Sequence, residues 1–202
     1  MERVAPPGFA PRTATGLDVA YATGSDAVVA AAVTVDLATG AELRSATAAG
    51  EAAFPYVTGL FAFRELPTLL DALAELAEPP ELLLADGHGL AHPRRFGLAC
   101  HLGVVTGIPA IGVAKTPLGS FAPPGPARGA TSPLVLDGEE VGVALRTRDG
   151  VKPVFVSVGH RIDLASACRI VLALANSFRL PEPTRLADQR CREALKARGT
   201  EP

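Results

Sequence analysis

The stretch TGLDVAYATGSDAVVAAAVTVDLATGAELRSATAA, residues 15–49, decides the fold. Thr15–Tyr21 and Ala27–Leu37 read as strands separated by a turn at Thr23–Gly24–Ser25, and a third strand follows in Glu42–Ala49. Consecutive strands with short connections imply an antiparallel meander. Asp18 interrupts the apolar run of the first strand, and a carboxylate there is costly unless something pairs with it.

Downstream the pattern changes. After a PYVTG loop (55–59), Leu66–Leu76 reads as a helix with Pro67 near its first turn and an apolar face of Leu69, Leu70, Leu73 and Leu76. Glu81–Ala85 is a short buried strand ending at Asp86-Gly87, Arg95–Thr106 a helix stopped by Gly107, and Ala110–Ala114 another buried strand. Strands alternating with helices imply parallel pairing. Pro117–Pro133, rich in Gly and Pro, is expected to be a mobile loop, and Val141–Thr147 with Val154–Val158 a hairpin turning at Asp149-Gly150. Helices are predicted at Leu164–Ser177, with Asp163 as N-cap and His160 shaping the turn before it, and at Thr184–Ala197. Residues 1–13 read as a loose lead-in and 198–202 as a frayed tail to one domain spanning 1–202. The predicted class is α/β and ribonuclease H-like: a mixed sheet whose antiparallel meander precedes parallel strands with flanking helices.

Composition bounds the rest. With 202 residues and 48% apolar content, the chain can bury a sizeable core. No apolar run approaches the roughly 20 residues that span a bilayer, and MERVAPPGFAPR lacks the apolar centre of a signal peptide. Cys100, Cys168 and Cys191 have neither CxxC spacing nor an even count, which argues against disulfide and zinc frameworks. A cytoplasmic protein without membrane contact is expected. Net charge is −2, but it is unevenly spread: residues 1–87 hold four basic against twelve acidic side chains, and residues 88–179 hold ten against five. An acidic half followed by a basic half suits a cation site beside a phosphate track.

Three acids stand out. Asp18 lies within the strand GLDVAY, Asp86 at the carboxyl end of the strand in LLLADGHG, and Glu65 just before Pro67 at the expected helix start. Taken singly, each has a structural explanation, the first two as hydrogen-bonded aspartates and the third as a favourable charge at a helix N-terminus. Together they are the acid set expected of a two-metal phosphodiesterase. Carboxylates about 4 Å apart repel by roughly 4 kcal/mol at an effective dielectric near 20, a cost that divalent cations relieve. All-oxygen ligands suit Mg²⁺, with Mn²⁺ as a substitute. Lys115, after the strand AIGVA, is placed to stabilise charge developing on a phosphate.

At these residues the sequence resembles the endonuclease V family. The matching stretches are GLDVAY (16–21), PYVTGLFAFRE (55–65), LLADGHGLAHPRRFGLACHLG (83–103), IPAIGVAK (108–115), RTRDGVKPVFVSVGHRIDLASA (146–167) and RLPEPTRLAD (179–188). The resemblance implies a deoxyribonuclease V-type enzyme that recognises deoxyinosine in DNA. Such an enzyme cuts a phosphodiester on the 3′ side and leaves 3′-hydroxyl and 5′-phosphate ends, in DNA repair. It makes Asp18, Glu65 and Asp86 metal-binding carboxylates, joined by Asp188, and sets Lys115 near the scissile phosphate. His92 falls beside the base pocket, Tyr56 becomes a wedge filling the stack left by an extruded base, and Gly59 and Gly87 are places where backbone approaches that base. Thr58 departs from the family's usual Pro, Phe61 from a smaller aliphatic residue and Val158 from Pro; none of these is a catalytic position. His88 reads as a loop histidine and stays outside the site.

Arg94, Arg95, Arg146, Arg148, Lys152 and Arg161 are candidate phosphate contacts. The expected partner is DNA containing deoxyinosine, with inosine-containing RNA as the alternative substrate, and a monomer is expected. A non-catalytic inosine-binding module would keep the pocket without cutting, and a branched-DNA resolvase would need no inosine.

Overall fold

A computed structural model describes residues 1–52 and 61–199, with the backbone alone for Phe61. Tyr56, Thr58 and Gly59 lie outside the described residues. The elements run β1 (Thr13–Tyr21), β2 (Ala27–Asp36), β3 (Glu42–Glu51), α1 (Phe61–Ala74), β4 (Leu83–Asp86), α2 (Leu98–Thr106), β5 (Ala110–Ala114), β6 (Ser120–Phe121), β7 (Thr131–Leu136), β8 (Glu139–Leu145), β9 (Val154–His160), α3 (Leu164–Leu174) and α4 (Glu182–Ala197).

The strands form one mixed sheet in the order β3-β2-β1-β4-β5-β9-β8-β7-β6. The expected meander is present: β2 pairs antiparallel with both β1 and β3. So are the parallel additions of β4 to β1 and β5 to β4, after which β9 returns antiparallel to β5. β2 shows why the molecule has two helical faces. Its eight interior residues, VVAAAVTV, are all buried, so both sides of this strand are covered. Ala30 and Ala32 pack with Leu69 of α1 and Leu98 and Leu102 of α2. Val29, Ala31 and Val33 pack with Val171 of α3 and Ala187, Cys191 and Leu195 of α4. The helix on the second face sits very close to β1, since a Cβ on Gly16 would lie 2.1 Å from the Pro183 carbonyl carbon. Only glycine leaves room there.

Several boundaries differ from the sequence reading, each for a physical reason. α1 begins at Phe61, so Pro67 sits inside it. Ala62, Glu65, Leu69 and Ala72 are buried along one face, and that burial outweighs the backbone hydrogen bond that Pro67 cannot make. α2 starts at Leu98 rather than Arg95, because Arg95 takes a left-handed backbone (φ 52°) and cannot open a right-handed helix. Gly107, at φ 72°, ends α2 as expected.

The segment 117–133 is not simply a loop. β6 and the start of β7 lie within it, and β7 carries Pro133. β6 meets β7 only at Leu134 and Val135, so Pro133 stands past the last pair on that side and owes no ladder hydrogen bond there. Residues 1–13 are tied down as well. His160 Nδ1 accepts from the Glu2 amide (3.1 Å), the Arg161 amide donates to the Glu2 carbonyl (2.7 Å), and Phe9 packs on the core. His160 therefore belongs to β9 rather than to a turn. Asp163 caps α3 as predicted, accepting from the Ser166 amide at 2.8 Å, and the helix stops at Leu174, short of Ser177.

Candidate active site

The parallel register of β1 and β4 brings two acids side by side. Leu17 pairs with Ala85, so the next step along both strands sets Asp18 beside Asp86 on the same face of the sheet. Glu65 arrives from α1 and is buried, 3% exposed. It is the fifth residue of that helix rather than its first, so a helix-terminus charge effect does not explain it. The Tyr21 hydroxyl, also from β1, donates to Glu65 Oε1 (3.3 Å), and the Arg64 guanidinium stacks 4.7 Å from the Tyr21 ring centre.

Electrostatics couples these groups. Burial, then the Asp86 charge, pushes the Asp18 carboxyl up to about 8; Asp188 adds to the rise, while Lys115 and the Val19 amide oppose it. Burial, then the Asp18 charge, pushes Glu65 up to about 9, with Asp86 adding and the Tyr21 hydroxyl and Arg64 opposing. A buried carboxylate whose neighbours are also acids ionises late unless a cation is at hand. Lys115 supplies one cation. It follows β5, and its Nζ donates to Asp86 Oδ2. Burial disfavours the Lys115 ammonium, but the bond to Asp86 and the charges of Asp86, Asp18 and Asp188 outweigh it and raise its pKa.

Asp188 reaches the site from α4 and is also tied to Arg192 (2.9 Å). Its neighbour Cys191 has its thiol pushed up to about 12 by burial and then by the Asp18 and Asp188 charges. Three of the four acids are thus turned toward a side chain within the chain, Asp86 to Lys115, Glu65 to Tyr21 and Asp188 to Arg192, while Asp18 accepts from the Val19 amide (2.8 Å). Among the described residues, no group of three His, Cys, Asp or Glu side chains is already arranged to hold a metal ion.

Beside the acids lies a cavity of about 590 Å³. Asp86, Gly87, His92 and Lys115 form one part of its wall, and Phe63, Phe96 and His101 another. The rings of Phe63 and Phe96 each meet His101 edge to face, at 5.1 and 4.7 Å. His92 Nδ1 accepts from the Arg94 amide (3.2 Å), which leaves the proton of the neutral ring on Nε2. Burial, then Arg94, lowers the His92 pKa and favours that neutral form. The loop carrying Gly87 and His88 rests directly on β5, because a Cβ on Gly112 would lie 2.4 Å from the Gly89 nitrogen.

Sequence reasoning passed over two residues of this neighbourhood. His88 lines the cavity, and its Nε2 bonds to the Thr116 carbonyl (3.0 Å). Its place two residues after Asp86, in DGHG, was the available signal. Arg179 opens the RLPEPTRLAD stretch, and its guanidinium reaches the Lys115 carbonyl at 2.9 Å. No local pattern announces that contact.

The phosphate candidates divide sharply. Arg95 bonds to Leu136 O and Glu139, Arg146 to the carbonyls of Gly125, Pro124 and Val151, Arg148 to Ser177 O, and Arg161 to Gly107 O and Glu2. These four arginines fasten loops in the structure. The side chains of Arg94 and Lys152 have no such partner among the described residues, and Arg94 lines the cavity.

The model of a family described as Endonuclease V matches residues 4–189. The chain is 59% identical over 193 residues to endonuclease V of Streptomyces avermitilis, covering 94% of this chain and 84% of that one. It superposes on the crystal structure of that species' endonuclease V with a TM-score of 0.92 at 57% identity, covering 98% of this chain and 87% of that one. A more distant structure is Ciona intestinalis endonuclease V in complex with a 24mer DNA containing an inosine followed by a ribo-adenosine. It gives a TM-score of 0.85 at 27% identity, covering 97% of this chain and 92% of that one.

Proposed function

Because the chain belongs to the endonuclease V family, nucleases acting on DNA, we propose that it recognises deoxyinosine and hydrolyses a phosphodiester on the 3′ side of that lesion. The products would carry 3′-hydroxyl and 5′-phosphate ends, and the role would be repair of deaminated adenine. The Ciona relative bound to inosine-containing DNA supports the choice of lesion. The observation that carries the chemistry is the crowding of acids in a buried place: burial raises the pKa of both Asp18 and Glu65, Asp86 adds to both, and Asp18 adds to Glu65.

The donor set fits Mg²⁺ or Mn²⁺. Asp18, Glu65 and Asp86 offer oxygen alone, with Asp188 the fourth contributor, and a hard divalent ion prefers such ligands. When bound, such ions neutralise the acids and supply an activated water and a stabilised leaving oxygen. The chain's own groups do the rest. Lys115 holds a positive charge beside Asp86, and with the phosphate set there in this reading it favours the more negative transition state. The backbone at Gly87, bare of side chain, can approach a base edge in the cavity, and the neutral His92 offers an Nε2–H donor at its wall. Hypoxanthine differs from adenine by carrying O6 and N1–H, so donors and acceptors fixed at that edge separate the two bases. In the same reading Tyr56 and Gly59 serve as wedge and base contact.

The test is cleavage of a strand carrying one deoxyinosine, with Mg²⁺ and with chelator, against an undamaged strand and with Asp18→Ala as control. Cutting that needs both metal and lesion supports the reading. Binding without cutting, in the presence of Mg²⁺ or Mn²⁺, points instead to an inosine-binding module. An inosine-containing RNA strand run alongside decides between deoxyribonuclease and ribonuclease.

A further inference from the structure

The β5–β9 ladder ends at Ala114 opposite Phe155. One step further in register Lys115 would face Val154, and another step would set Thr116 opposite Pro153, whose ring nitrogen has no hydrogen to donate. The two chains part here, and their carbonyls need other donors. Arg179 provides them. Its Nη2 donates to the carbonyls of Lys115 (2.9 Å) and Pro153 (2.8 Å), and its Nε to the carbonyl of Lys152 (3.0 Å). On the other side, His88 Nε2 meets the carbonyl of Thr116 (3.0 Å). The backbone at Lys115–Thr116 is thus gripped by side chains from two different loops.

Arg179 is itself fixed. The Thr147 hydroxyl donates to its carbonyl (2.7 Å), and two residues later Pro181 opens α4, the helix that carries Asp188. The planar guanidinium fork therefore joins three parts of the site: the exit of β5 with Lys115, the entry to β9, and the approach to α4. A lysine could not replace it, because a single ammonium cannot present the fork to three separated carbonyls.

We propose that Arg179 is a positioning residue for Lys115, clamping the backbone from which the lysine reaches toward the phosphate. This rests on the role given to Lys115 above. Backbone drift of the order of 1 Å at such a residue costs as much as 100-fold in rate, while strand binding, spread over many contacts, changes little.

The decisive measurement is a double-mutant cycle on the full chain. Single-turnover cleavage of a deoxyinosine strand with Mg²⁺ is compared for wild type, Arg179→Met, Lys115→Met and the double variant, with strand affinity from fluorescence anisotropy and thermal unfolding recorded for each. Arg179→Met is expected to lose roughly tenfold to 100-fold in rate with affinity little changed. It should lose nothing further in the Lys115→Met background, and Arg179→Lys should not restore the rate. Equal losses in both backgrounds, or no loss in either, overturn the positioning role. If Arg179→Met does not fold, Arg179→Lys carries the same cycle. An inert wild type would overturn the reading of Lys115 itself, an outcome distinct from an active wild type without coupling.

Discussion

Lys115 Nζ donates to Asp86 Oδ2 across the carboxyl ends of two adjacent parallel strands, so one acid of the candidate site already carries a counter-charge. An ammonium held there stabilises negative charge that grows on a nearby phosphate. Lys115→Ala is expected to lower single-turnover cleavage by roughly 10²- to 10³-fold, on the scale of a lost oxyanion donor. Strand affinity should fall far less. An equal loss in binding and rate would mean that the lysine serves binding alone.

The acids give a second expectation, for stability without metal. Folding raises the pKa of Asp18 to about 8 and of Glu65 to about 9, so the unfolded chain ionises these groups more readily than the folded one does. Their contribution is fully present below the unfolded carboxylate values near pH 4, and it is lost as pH rises toward 9. In chelator, the melting temperature should decline across that window, and Asp18→Asn should flatten the decline and raise stability at pH 8. Mg²⁺ should reverse the loss for wild type, since a ligand bound only to the folded state stabilises it. Thermal unfolding against pH, with chelator and with Mg²⁺, checks this; a flat profile in chelator would contradict it.

Gly16 offers a purely steric test. A methyl group there meets the Pro183 carbonyl carbon at 2.1 Å, and backbone cannot swing aside as a side chain can. Gly16→Ala should cost about 1–3 kcal/mol, as overpacking does, and should shift α4 together with Asp188. Urea denaturation gives the first quantity. A stability equal to wild type would show that α4 is free to move.

The basic residues separate into two experiments with opposite signatures. Arg94→Ala should leave stability unchanged and reduce the slope of log affinity against log salt by roughly 0.7–0.9. Arg146→Ala should leave that slope alone and lower stability, because three carbonyls at 124–151 lose their donors. Anisotropy titrations across a salt series, paired with unfolding curves, distinguish them.

What the sequence made legible was local or periodic. The meander and the parallel strands follow from short apolar runs and from the turns and helices between them, and Asp163 is visible as a cap because its partner lies three residues away. Asp18 and Asp86 could be paired on paper because each breaks an apolar strand. The fates of Arg146 and Arg148 could not, since their acceptors lie in other loops and nothing in the neighbouring residues marks them. The helix start at Phe61 was obscured by Pro67, which signals a first turn by local rules and is overruled by tertiary burial. β7 was hidden by Pro133 within a Gly- and Pro-rich segment, where only a neighbouring strand reveals that the proline stands past the last pair. Asp188 stood out through family resemblance alone, because an Asp on a charge-rich amphipathic helix has no signature of its own.

The tether of Glu2 to His160 has a practical consequence. His160 pairs with Ala110 at the entry of β5, whereas Lys115 follows its exit, and about 13 Å of strand separates the two ends. A dye, bead or surface linker attached ahead of Glu2 would leave from the end of the β5 and β9 strands remote from the acids. Immobilised molecules should then keep the cleft open to a DNA strand, which makes the amino terminus the attachment point of choice for watching single cleavage events.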